Sequence, residues 1–206
     1  PFLVAVYPIA WLLGRQNIRF LTSRRGHPRI GHLAWEIHFY VKGMRIGTWG
    51  RERPIFLASS GLVANECLRD YWATCLPVVK NSLLTILMRP FNWSGLTRRN
   101  LYPTDVEIRT EDGKLLRGVR AVDHVFIQYD RRFGDTPLLE LEAGHRTRGW
   151  NALESLGVPR DAWFAALHVR EPGFVSKHEE RRPRDGNVAD FLDAVRMITD
   201  KGGWVI

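Results

Sequence analysis

A chain of 206 residues with 45% hydrophobic and 25% charged residues has the composition of a globular protein, which excludes a disordered or low-complexity chain. Its net charge of +8 hides an asymmetry, because Arg supplies 25 of the 30 basic residues and Lys only five. That excess points either to anionic ligands such as nucleotides or nucleic acid, since a guanidinium reads phosphate and carboxylate bidentately, or to an arginine-rich coding bias.

The opening "PFLVAVYPIAWLLG" carries no charge before Arg15. It is shorter than the roughly 20 residues that span a bilayer. It reads as the tail of a longer membrane segment, an interfacial anchor or a buried helix, and Arg15, Arg19, Arg24 and Arg25 behind it suit the cytoplasmic side of a membrane. The start at Pro1 and the apolar end "GGWVI" both look cut. From Ile18 strands and helices alternate. "IRFLTS" (18–23) predicts a strand and "RRGHPRIGH" (24–32) a turn-rich loop. A helix follows from Ile30, with Ile30, Leu33, Ala34, Ile37, Val41 and Met44 at helical spacing and Gly43 or Gly47 to close it. "PIFLAS" (54–59) and "PVVK" (77–80) predict strands, and 61–76 and 82–91 predict helices. Cys67 and Cys75, in the first of those helices, match no zinc or redox motif and read as reduced core or half-core thiols of a cytoplasmic protein; no metal site is expected. Asp112-Gly113 within 106–119 signals a hairpin, 124–130 reads as a further strand, and 138–157 as a helix stopped by Gly157.

A joint at 157–160, "GVPRDA", precedes a restart of the pattern. "WFAALHV" (163–169) predicts a strand, 171–186 a polar basic loop, and Asn187 the cap of a helix whose stripe is Val188, Phe191, Leu192, Val195, Ile198 and Thr199. Gly202-Gly203 ends that helix and "WVI" begins a strand. The expected fold class is therefore α/β. An apolar segment (1–17) precedes a Rossmann-like parallel-sheet domain (18–157), and 158–206 opens a second such domain.

In open α/β sheets ligands bind beyond the carboxyl ends of the strands. Two strand-to-helix loops there are rich in arginine. The first offers Arg24, Arg25, His27, Arg29 and His32 beside Gly26 and Gly31, at a helix start that suits an anion. It lacks the dinucleotide and Walker patterns, and spacing alone favours a solvated basic turn. The second offers His168, Arg170 and Glu171, then Lys177, His178, Arg181, Arg182 and Arg184. His168 alone reads as a satisfied core histidine and "RRPR" as a solvated run. Arg170, two residues from His168 at a strand end, calls for a carboxylate or a ligand phosphate. No nucleophile and base are visibly paired in the sequence. Most of the tryptophans lie in apolar runs, which argues for core rather than for stacking on nucleic acid.

Together the loops resemble GT-B fucosyltransferase-like enzymes, and more closely a bacterial family of glycosyltransferases with "R-I-G-H-L", "L-H-V-R-D", "R-N-x-D-I" and "G-x-W-V-I-R" segments. Here these stand as Arg29-Ile30-Gly31-His32-Leu33, as Leu167-His168-Val169-Arg170-Glu171, as Arg184 to Val188, and as Gly203-Trp204-Val205-Ile206. Glu171 replaces the usual aspartate, and "RDGNV" replaces "RNADI". The resemblance covers 18 to the end. It implies transfer of a sugar from a nucleotide-diphosphate sugar to a glycan or other acceptor, in surface polysaccharide or glycoconjugate synthesis, with neither metal nor cofactor. His168, Arg170, Glu171 and Arg184 would hold the donor, while Arg24, Arg29, Gly31 and His32 would face it across a cleft. It also implies a donor domain continuing past Ile206, so that this stretch would not catalyse alone. A cytoplasmic location, peripheral on the inner membrane face, is expected. The rival expectation is a basic nucleic-acid-binding or partner-binding α/β module without catalysis.

Overall fold

The computed structural model describes residues 2–22, 29–102, 105–134, 136–169 and 186–206, and the chain divides into two compact units, Pro1–Glu140 and Leu141–Ile206. The division falls earlier than the joint expected at 157–158. Gly157 does follow the helix α6 (Ala143–Ser155), with φ +87°. Trp150 of α6, however, meets Phe164 edge-on with ring centroids 6.2 Å apart, which ties the helix to the strands that come after it.

In the first unit, β1 (Ile18–Thr22), β2 (Arg53–Leu57), β3 (Val78–Val79) and β4 (Arg98–Asn100) form a parallel sheet of order β3-β2-β1-β4. Phe20 lies opposite both Ile55 and Arg98 in the ladders. The helix α2 (Ile30–Arg45) follows β1 and stops where Gly47 takes φ +81°, a conformation open to glycine at little cost. α3 (Glu66–Trp72) and α4 (Ser82–Trp93) start where the side chains of Asn65 and Asn81 accept from the N–H groups of Leu68 and Leu84, satisfying donors that a helix start leaves open.

Neighbouring residues of β1 show how the layers are arranged. Leu21 packs in the main core with Leu33 and Ile37 of α2, whereas the Phe20 ring stacks on Phe91 of α4 at 6.1 Å. Successive strand residues point to opposite faces, so α2 and α4 cover opposite sides of the sheet. α1 (Phe2–Arg15) joins α4 on its side. On the other side α2 packs against α5 (Val119–Phe133), where the Lys42 ammonium lies 2.7 Å from Asp130 and over the rings of Phe126 and Tyr129.

The hairpin forms where it was expected. β5 (Glu107–Arg109) pairs antiparallel with β6 (Leu115–Arg117) around Gly113 at φ +81°. The strand expected at 124–130 is instead part of α5. Ala121, Val122, Val125 and Tyr129 are its buried residues, a 3.6-residue period that the short apolar run Val125-Phe126-Ile127 conceals. Three further expectations need correcting here. Ile30 is exposed and does not join the α2 stripe. Among the described tryptophans Trp49 and Trp72 are buried, but Trp11, Trp35 and Trp163 are exposed. Cys67 is also exposed and Cys75 half-buried, so only the latter is a core-edge thiol.

In the second unit, β7 (Phe164–Ala165) and β8 (Trp204–Val205) pair in parallel, and Leu167 N–H to the Ile206 carbonyl at 2.7 Å continues the ladder. The strand is shorter than expected, and His168 lies beyond it. Asn187 caps the returning segment through Ala189 N–H, leading through a 3₁₀ turn (Val188–Phe191) into α7 (Leu192–Thr199). The expected stripe is not buried: Val188, Phe191 and Leu192 are exposed, because a two-stranded sheet presents little surface to bury them against. Among the described residues no helix is long and apolar enough to cross a membrane.

Candidate functional site

The order β3-β2-β1-β4 means that the chain winds outward from β1 to β3 and then returns to the other side of β1. The topological switch point therefore lies between β1 and β4, and beyond their carboxyl ends such sheets form a crevice. Three segments converge on this edge: the start of α2, the residues after β4 and the residues after β2.

At the start of α2, Arg29 occupies the cap position with extended backbone and no side-chain cap bond. The first N–H groups of the helix have no partner within it, and its positive dipole end faces the same way. Gly31 is exposed, and a Cβ there would meet nothing within 4 Å. His32 is half-buried, and its Nδ1 lies 2.7 Å from Oε1 of Glu36. Residues four apart on a helix share a face, and here the outer one is a wet imidazole and the inner one a carboxylate of 0% exposure. The second carboxylate oxygen, Oε2, is buried without a hydrogen-bond partner among the described residues.

Neighbouring elements fix this turn. Trp72 of α3 donates its indole N–H to the Leu33 carbonyl at 3.1 Å. After β4, Tyr102 brings its ring to 6.1 Å from His32, with its N–H donated to the Asn100 side chain, which also donates to Asp105. After β2, Ser59 is buried with an unpartnered Oγ, and the buried Arg69 donates to the Ala58 carbonyl and the Ser60 hydroxyl.

A histidine that gives one ring nitrogen to a fixed carboxylate has its tautomer set. With Nδ1–H donated to Glu36, Nε2 is the acceptor, the arrangement of a general base held by a carboxylate. This pair was not identified from the sequence. Its signal was there in "HLAWE", a His and a Glu at helical spacing in the first two turns of the helix that follows β1.

Of the other expected site residues, His168 is exposed in irregular chain three residues past β7, with no ion pair among the described residues. A Cβ on Gly186 would lie 3.4 Å from Val169, so the flanks of the 170–185 segment meet. Arg24, Arg170, Glu171 and Arg184 lie outside the described residues. Arg19, grouped by sequence with the basic residues behind the N-terminal segment, instead turns inward to the Gly14, Ile18 and Leu96 carbonyls.

A second depression, of about 830 Å³, lies between the β5–β6 hairpin, α5 and the far end of α2. It is roughly 20 Å from His32 along the α2 axis. Arg109, Lys114, Arg131 and Arg132 line it with Glu111 and Asp112, and among the described residues no Phe, Tyr or Trp does. No family model, curated protein or solved structure matches this chain.

Proposed function

We propose that this chain belongs to a GT-B-type glycosyltransferase that moves a sugar from a nucleotide-diphosphate sugar to a hydroxyl of a glycan or other acceptor. The observation that carries the reading is the His32–Glu36 pair at the switch point of a parallel sheet, whose histidine lies within the Arg29-to-Leu33 segment on which the family resemblance rests. In this scheme His32 Nε2 takes the proton of the acceptor hydroxyl while its oxygen bonds to the anomeric carbon. The bond from that carbon to the diphosphate breaks, and its electron pair leaves with the nucleoside diphosphate. Arg170, with His168, Glu171 and Arg184 around it, would hold and neutralise the departing charge, the place that a metal ion takes in other transferases. Arg24 and Arg29 would face the same cleft, and Gly31 would let the acceptor or the donor phosphate approach the helix start. The product would enter a surface polysaccharide or glycoconjugate, made in the cytoplasm at the inner face of a membrane.

The test, on the full-length protein, is calorimetric titration with uridine, guanosine, cytidine and thymidine diphosphates and their sugars, followed by release of nucleoside diphosphate in the presence of acceptors. One nucleotide class should bind, and His32→Ala should leave its affinity within about threefold while lowering turnover by about a hundredfold or more. Failure of every nucleotide to bind would overturn the reading.

A further inference from the structure

α1 and α4 are turned the unusual way round for helices on a water-soluble sheet. Toward the sheet the two helices set Phe91 on Phe20, but also small and polar residues: Ala10 and Thr85 are buried, and a Cβ on Gly14 would lie 3.0 Å from the Leu96 carbonyl oxygen. Other large apolar residues face outward. Tyr7, Trp11 and Leu12 of α1, and Leu83, Ile86 and Leu87 of α4, are 47–65% exposed. Because the two helices pack together on one side of the sheet, these residues belong to one face, and contiguous apolar surface of that kind marks an interaction site.

Charge identifies the occupant. No Asp or Glu occurs before Glu36 or between Asp70 and Asp105, the two stretches that supply α1 and α4. Arg15 and Arg89 are exposed on these helices, and the Arg15 guanidinium sits 4.8 Å over the Trp11 ring. An apolar face with tyrosine and tryptophan, on two helices that carry arginine and no acid, complements the boundary between anionic headgroups and acyl chains. A protein partner would need to match the face without offending its arginines; an anionic bilayer does so by its general chemistry.

We propose that the α1–α4 face seats the protein on the surface of an anionic lipid bilayer, lying in the interface and not crossing it. This names the surface responsible for the membrane location above, and it stands whether or not the protein transfers sugars. The experiment is vesicle co-sedimentation of the full chain, comparing phosphatidylcholine alone with phosphatidylcholine containing about one-third phosphatidylglycerol. Wild type should sediment with the anionic vesicles, less so at high salt and weakly with the neutral ones. The pair Leu83→Glu and Leu87→Glu should lower partitioning by about tenfold or more with an unchanged melting temperature. The milder pair Leu83→Ser and Leu87→Ser carries the same direction and guards against unfolding by the new charges. Absence of sedimentation with either composition would overturn the proposal, as would equal sedimentation of wild type and both variants. A wild-type dimer that the variants split, without vesicle binding, would assign the face to a second copy. Nucleotide binding plays no part in the readout, so a failed enzyme reading leaves this test intact.

Discussion

Gly43 and Trp49 interlock, for a Cβ on Gly43 would lie 2.5 Å from Cε2 and Nε1 of the Trp49 indole. The indole is fixed from two other directions. Its Nε1 donates to the Tyr40 carbonyl at 2.8 Å, and its ring stacks on Tyr40 with centroids 5.4 Å apart. Arg99 covers the ring at 4.8 Å and, like Tyr40, bonds to Glu52, so the ring cannot withdraw without disturbing that cluster. Helix propensity alone would favour alanine at 43 by about 1 kcal/mol, but overpacking costs about 1–3 kcal/mol, and a displaced indole would lose its hydrogen bond, worth about 1 kcal/mol more. Gly43→Ala should therefore destabilise by about 2 kcal/mol net and lower Tm by about 4–8 °C. An unchanged denaturation midpoint would show the contact to be soft.

Gly31 is the opposite case on the same helix. A Cβ there has open space, so Gly31→Ala should hold or raise Tm. If the helix start approaches a ligand closely, the added methyl should weaken nucleotide or acceptor binding by about tenfold. Stability and affinity would then move in different directions, which a simple surface glycine would not produce. Melting and titration of the one variant decide the matter, and unaltered binding would remove Gly31 from the site.

How far the molecule is legible in its sequence differs between elements. β1, α2, β2, β3 and α4 carry their own signals: alternation of strand and helix, asparagine caps, and Gly47 to end α2. α5 misleads because three apolar residues in a row, Val125 to Ile127, satisfy a strand window, and only the longer spacing from Ala121 to Tyr129 betrays a helix. The stripe on α7 was correctly periodic but is not covered, since periodicity reports which face is apolar and says nothing of what it packs on. At the site, both His32 and Glu36 are legible as residues. Their pairing depends on the depth to which the first turn of α2 is sunk behind Trp72, a tertiary fact that no local pattern encodes.

Arg170 lies outside the described residues, and its prediction rests on sequence. A guanidinium two residues from His168 can bridge two diphosphate oxygens where an ammonium offers a point charge. In the full-length protein we expect Arg170→Lys to weaken donor binding or turnover by about tenfold or more, on the order of 1.4 kcal/mol, with Tm preserved. Unchanged donor affinity and turnover would remove it from the site, and a collapsed Tm would mark it as a structural ion-pair partner.

His38 gives stability a dependence on pH. Burial, and then the Lys42 ammonium, hold its imidazole below the ordinary range, with Asp130 opposing. Below about pH 6.5 the unfolded chain binds a proton at this position that the folded chain refuses. The stability linked to His38 is thus complete above that pH and lost as pH falls toward the folded value. Melting curves of wild type and His38→Gln between about pH 7.5 and 5.5 should show the advantage of wild type shrinking with acidification. A difference that stays constant would show that His38 does not titrate differently on folding.

Glu36→Gln separates positioning from packing at the proposed base. The amide matches the carboxylate in size, so the buried site keeps its shape, and it removes a charge of which one oxygen, Oε2, has no hydrogen-bond partner. Stability should therefore hold or rise, because an incompletely satisfied buried charge is costly to keep. Catalysis should move the other way. An amide that turns its NH₂ toward His32 demands an acceptor at Nδ1, which puts the proton on Nε2 and disables the base. Turnover should fall by about 10²–10⁴-fold, with nucleotide affinity nearly unchanged. Wild-type turnover in Glu36→Gln would show that the carboxylate serves only to anchor the helix, and His32 would then lose its claim to be the base.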